Sequence, residues 1–188
     1  MKSIIIPIRP EWVVKILNGQ KTLEIRKTAP REWIDYLNGK GPKPEPKDVY
    51  IYCTKNGYLH LENEGYWSYS RNQKYTYVRS GKVVAKFTLR KVTQYIAGNN
   101  MDEDHPLDGD AYIEDGVLDK ACITEEALLN YTHRDDDCIY DFTFFAWHIS
   151  DLVVFNEPME LGKFHTGTHP ENIVVRAPQS WMYVEVAK

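Results

Sequence analysis

ILNGQKTLEIRKTAPR, residues Ile16–Arg31, passes from one periodicity to another within a few positions. Just before it, Pro10 suits a first helical turn, and Trp12, Val13, Ile16 and Leu17 fall on one helical face. Gly19 ends that helix as a left-handed cap. The next residues, KTLEIRK, alternate: Leu23 and Ile25 point one way, Thr22, Glu24 and Arg26 the other. A carboxylate set between Lys21 and Arg26 is either part of a solvated edge strand or the floor of a polar pocket. Glu24 and Arg26 share a strand face, their Cα atoms roughly 6–7 Å apart, and Lys21 at the turn leans toward the same opening. In a pocket, Lys21 and Arg26 hold a phosphate while Glu24 orients them and accepts a hydrogen bond from a base or ribose. On an edge strand the same residues make one ion pair worth under ~1 kcal/mol.

Outward from this stretch, the chain alternates strand and helix signals without regular βαβ order. SIIIPI (Ser3–Ile8) is β-rich, and Pro7 marks it as an edge or bulged strand. PREWIDYLNG predicts a helix started by Pro30 with Trp33, Ile34 and Leu37 inward, and GKGPKPEPK after it is a stiff connector. DVYIYCT (Asp48–Thr54) and KVVAKFTLRKV (Lys82–Val92) read as strands. TEEALLNYTH reads as a helix capped by Thr124. DFTFFAWHIS and DLVVFNEP read as two successive strands, and SWMYVEVA as a closing one. Residues 56–80 are aromatic and polar and predict a hairpin, while 97–120 predict an acidic loop. About seven strands with interspersed helices give an α+β chain built on a small mixed β-barrel, residues 1–188 forming one domain with 56–80 and 97–120 as insertions.

Composition narrows the function classes. With 188 residues and 43% hydrophobic content, one packed core is feasible. No stretch approaches the ~20 apolar residues of a membrane helix, and the N-terminus lacks a signal-peptide pattern. Cys53, Cys122 and Cys138 are odd in number and widely spaced, which predicts a reducing, cytoplasmic setting. The net charge of −4 conceals a polarity: residues 1–91 carry 18 Lys and Arg against 8 Asp and Glu, a balance of +10, and residues 92–188 carry 5 against 19, a balance of −14. Either the basic half presents a face to a polyanion, or the two halves neutralise each other across the fold; the acidic half leaves a protein partner open.

Other motifs are weaker. The tyrosines of 66–77 either stack bases or pair across strands. His165 and His169 stand four apart around Gly167, a poor helix, and HRDDD (His133–Asp137) reads as a solvated loop. Neither predicts a metal site, and nothing in the chain calls for a cofactor. His148, beside Trp147 on a strand, either lines a cleft or is solvated.

Residues Gly19–Arg26 spell G-x-K-x-x-E-x-R. On this motif, its place between a helix and a strand, the following strands and the closing APQSWMYVE, the chain resembles an ASCH domain of the PUA-like superfamily, of bacterial or phage type. The resemblance implies a small β-barrel with a cleft and binding of RNA or a nucleotide; the ligand-binding set is then Gly19, Lys21, Thr22, Glu24 and Arg26 of the motif, joined by His148 where it lines the cleft. It also implies an enzymatic alternative, a hydrolase acting on RNA or on an acylated cytidine, in which Lys21 and Glu24 are catalytic. The amidohydrolases of the family pair a Lys with a Thr three residues on. Here that place is held by Glu24, so the hydroxyl nucleophile is missing.

Overall fold

The computed structural model describes residues 2–55, 80–97, 116–132 and 142–187. The hairpin expected within 56–80, the acidic loop at 102–115 and the Asp run 135–137 lie outside the described residues. In chain order the elements are β1 (Ser3–Ile8), α1 (Pro10–Leu17), β2 (Leu23–Arg26), α2 (Arg31–Leu37), β3 (Lys47–Cys53), β4 (Lys82–Ala97), α3 (Val117–Ala121), α4 (Glu125–Thr132), β5 (Phe142–Met159), β6 (Phe164–Thr166) and β7 (Met182–Val186). The class is mixed α+β. Seven strands form one sheet in the order β2-β5-β4-β3-β1-β7-β6.

The expected small mixed β-barrel, closed or nearly closed, is not confirmed. Among the described residues no pairing joins the end strands β2 and β6, so the sheet stays open. Both ends are short, at 4 and 3 residues, which limits the unpaired backbone an open edge presents. The chain divides into two compact units: Met1–Gln20, Pro46–Arg90 and Ile149–Lys188 in the first, Lys21–Glu45 and Lys91–His148 in the second.

In the first unit, β1 pairs parallel with β3 and antiparallel with β7. It is an inner strand, not the edge that Pro7 predicted. The reason lies in the register: the ladder to β7 covers Ser3–Ile5 and stops before Pro7, so no β7 bond requires the missing N–H. Ile4, Ile5 and Ile6 are all fully buried, as expected of a strand covered on both faces. Helix α1 begins at Pro10 and buries Val13, Ile16 and Leu17, while Trp12 is only half-buried, with the Lys15 ammonium 4.7 Å from its ring centroid.

Gly19 turns the chain out of α1 with φ +73°, and a Cβ there would meet nothing within 4 Å. The penalty of a side chain is therefore purely conformational. Gly19→Ala is expected to destabilise by about 1 kcal/mol and lower Tm by about 2–4 °C in calorimetry. An unchanged Tm would show that the turn tolerates another conformation.

β5 is a single strand of 18 residues, where two strands were predicted. The break read at Ser150–Asp151 is a kink, not a turn: Asp151 takes φ +49°, and the chain remains extended on both sides. Asp tolerates this region better than most residues. Arg90 holds the Asp151 carboxylate with Nε and Nη2, each at 2.9 Å.

In the second unit, Leu23 and Ile25 of β2 pack with Tyr95, Val117, Ala121, Leu128, Phe144 and Ala146. Helix α3 starts inside the segment expected to be loop, and its apolar signal is the buried i,i+4 pair Val117 and Ala121 with Leu118 packed against the same core. Helix α4 is capped as predicted: the Thr124 hydroxyl accepts the Ala127 N–H at 3.2 Å. No described helix is long and apolar enough to cross a membrane.

Candidate functional site

β2 pairs antiparallel with β5, setting Leu23 opposite His148, Glu24 opposite Trp147, Ile25 opposite Ala146 and Arg26 opposite Phe145. Directly opposed residues share a face. One face therefore carries Leu23, Ile25, Ala146 and His148, and the other Glu24, Arg26, Phe145 and Trp147. This alternation is the one the sequence predicted for β2, with Leu23 and Ile25 in the core.

On the second face the charged residues of the motif form one connected group. Glu24 Oε2 lies 3.3 Å from Lys21 Nζ, and Glu24 Oε1 lies 3.0 Å from Arg26 Nη2. Lys21 Nζ also donates to the Ala121 carbonyl at 2.7 Å. That carbonyl is at the C-terminal end of α3, where a cation satisfies an orphan acceptor and complements the helix dipole. Beside it, the Thr22 N–H donates to the Lys120 carbonyl at 2.8 Å. Lys21 thus joins the start of β2 to the end of α3, and Glu24 bridges two cations. Trp147, fully buried opposite Glu24, donates its indole N–H to the Thr28 carbonyl at 3.3 Å.

The three charged side chains converge, but not as an open cleft. Lys21, Glu24 and Arg26 are 5%, 7% and 8% exposed. The expected solvent-reachable pocket is replaced by a buried ion-pair group, because the chain folds α3 against the start of β2. The other predicted ligand residues are elsewhere. Thr22 is exposed and engages α3 through its backbone. Gly19 is an exposed turn residue of the first unit. His148 is on the opposite face from Glu24, its Nε2 3.0 Å from Thr93 Oγ1. Of the histidines weighed for metal, His169 Nδ1 lies 3.4 Å from Glu171 Oε1 and His165 is part of β6. Cys53 is buried, which pushes its thiol up to about 12, with Glu11 adding to the shift; it is an inert thiol.

Two neighbours of the cluster escaped the sequence reading. Lys27 follows β2 and is exposed. Tyr131, on the last turn of α4, is 39% exposed, and the Lys27 ammonium is 5.6 Å from its ring centroid. Burial raises its phenol pKa, Arg26 opposes and Glu24 adds to that shift, and a backbone hydrogen bond from Lys27 lowers it. The only sequence signal for Tyr131 was an aromatic on a short amphipathic helix, which a core position explains equally well.

With this geometry in place, comparison with solved structures places the architecture. The crystal structure of the ASCH protein from Zymomonas mobilis superposes with a TM-score of 0.53 at 15% identity, over 98% of this chain and 88% of that one. The fold is that of an ASCH domain. A tyrosine-to-phenylalanine variant of the Zymomonas mobilis protein matches with a TM-score of 0.53 at 16% identity, over 98% and 91% of the two chains. A serine-to-alanine variant matches at 0.51 and 15%, over 98% and 89%. No protein-family model matches the chain, and no curated protein matches it in sequence. At 15–16% identity the likeness shows the fold alone.

Proposed function

We propose that this chain is an RNA- or nucleotide-binding module whose charged centre is Lys21, Glu24 and Arg26. The observation that carries the reading is the union of all three charged motif residues in one hydrogen-bonded group on an ASCH fold. Two cations around one carboxylate leave a formal surplus of positive charge in a dry setting, where it attracts an anion far more strongly than in water. Lys21 and Arg26 contact a phosphate or base edge, and Glu24 fixes their geometry. Their burial favours a small inserted group over a broad polymer groove. Glu24 standing where the hydrolytic relatives carry a hydroxyl favours binding over amide cleavage.

Binding and cleavage measured on a panel of RNA, DNA and modified nucleosides tests this. Binding to RNA or a nucleotide should weaken steeply with added salt, with a log–log slope of about −0.7 for each phosphate contacted on a single strand. Absence of binding at every salt concentration would refute the proposal and point to a protein-interaction module. Multiple-turnover hydrolysis of an RNA or an acylated cytidine would establish the enzymatic alternative.

A further inference from the structure

The burial pattern separates an inner part of the site from an outer one. Lys21, Glu24 and Arg26 are more than nine-tenths buried, whereas the next residue along the strand, Lys27, is exposed. Lys27 and Tyr131, in contact with each other, are exposed residues next to this cluster. Tyr131 is prepared for contact with a ligand. Its hydroxyl end is tied to the Lys27 backbone and lies within electrostatic reach of Arg26 and Glu24. The residue remains 39% exposed, with the Lys27 ammonium over one side of its ring, 5.6 Å from the centroid, so that a base would take the other side. A tethered ring gives up little freedom on stacking, and a flanking cation offers a phosphate contact one residue from the ring.

We propose that Tyr131 and Lys27 form the outer contact of this site and select an unstacked nucleotide, its base laid on the Tyr131 ring and its phosphate on Lys27. The proposal rests on the RNA- or nucleotide-binding reading above and refines it: the ligand is a single-stranded segment or a free nucleotide, because bases inside a duplex present no face to a ring.

The test uses the full chain with an oligouridylate of about eight nucleotides, the same strand annealed to oligoadenylate, and UMP and uridine as the small probes. The single strand should bind more tightly than the duplex. Tyr131→Leu should weaken single-strand binding about tenfold or more, while Tyr131→Phe, which keeps the ring, stays within about threefold. Lys27→Met should reduce the salt slope by about 0.7, the value for one lost phosphate contact. Uridine should bind more weakly than UMP. UMP competing with the oligonucleotide at equal affinity per site would identify the free nucleotide as the source of the ligand, and much weaker competition would identify the strand. Wild-type binding that is unaffected by Tyr131→Leu, or that prefers the duplex, overturns this inference and leaves the broader reading standing. No binding of any probe by the wild type overturns both. Should Tyr131→Leu fail to fold, the Lys27→Met slope decides alone, since Lys27 is solvent-exposed: an unchanged slope overturns the proposal.

Discussion

Glu24→Ala is expected to lower stability by about 3–5 kcal/mol, the usual result of leaving buried charges without their counter-ion. The substitution strips Lys21 and Arg26, both under 10% exposed, of the carboxylate they share and leaves two cations on one small face. Against a total of about 5–15 kcal/mol, that is a large fraction. In urea the midpoint should fall by about 1 M or more with an unchanged slope. Glu24→Gln should do less harm because it still accepts hydrogen bonds. Replacing all three by apolar residues of similar volume should recover much of the loss, since a buried ion pair is often no more stabilising than a hydrophobic isostere. A loss below ~1 kcal/mol for Glu24→Ala would mean that the cluster opens to water, and the buried geometry would have to be abandoned.

Lys21→Met has the largest expected effect on ligand binding. It keeps the side-chain volume and removes the ammonium that joins Glu24 to the Ala121 carbonyl. If the cluster binds, affinity for RNA or a nucleotide should drop by about 1.5–3 kcal/mol, the worth of one charge-assisted contact, or roughly 10- to 150-fold. Glu24→Gln should then cost less affinity than Lys21→Met. Catalysis would leave a different signature: turnover reduced by ~100-fold or more in both variants with binding barely changed. The binding pattern is expected, because no hydroxyl stands three residues after Lys21. Equal affinity of Lys21→Met and wild type, with thermal stability preserved, would remove Lys21 from the site.

How much was legible in the chain depends on the range of the interaction involved. Alternation placed Leu23 and Ile25 inward and Glu24 and Arg26 together, and the register with β5 reproduces that division. Pro10, Gly19 and Thr124 marked a helix start, a left-handed turn and a cap, each a matter of one or two residues' own backbone chemistry. Pro7 misled because its missing N–H matters only where a neighbouring ladder needs it, and the length of the β7 ladder is set by pairing across the whole chain. Ser150–Asp151 misled because polar residues that often make turns can also be absorbed as a kink when Arg90 holds the carboxylate.

By itself the sequence determined the α+β class, most strand and helix positions, and which charged side chains share a face of β2. These follow from periodicity and from local preferences of proline, glycine and capping residues, which act over a few positions. Tertiary structure alone decided that the sheet stays open, that His148 faces away from the cluster, and that Lys21 reaches Ala121, 100 residues away along the chain. It also decided that the motif's charges are buried and that Lys27 and Tyr131 stand beside them in solvent. Burial depends on which distant segment covers a residue. No local pattern encodes that, because the free energy of covering β2 is shared among residues of β4, α3, α4 and β5 that meet only in the folded chain.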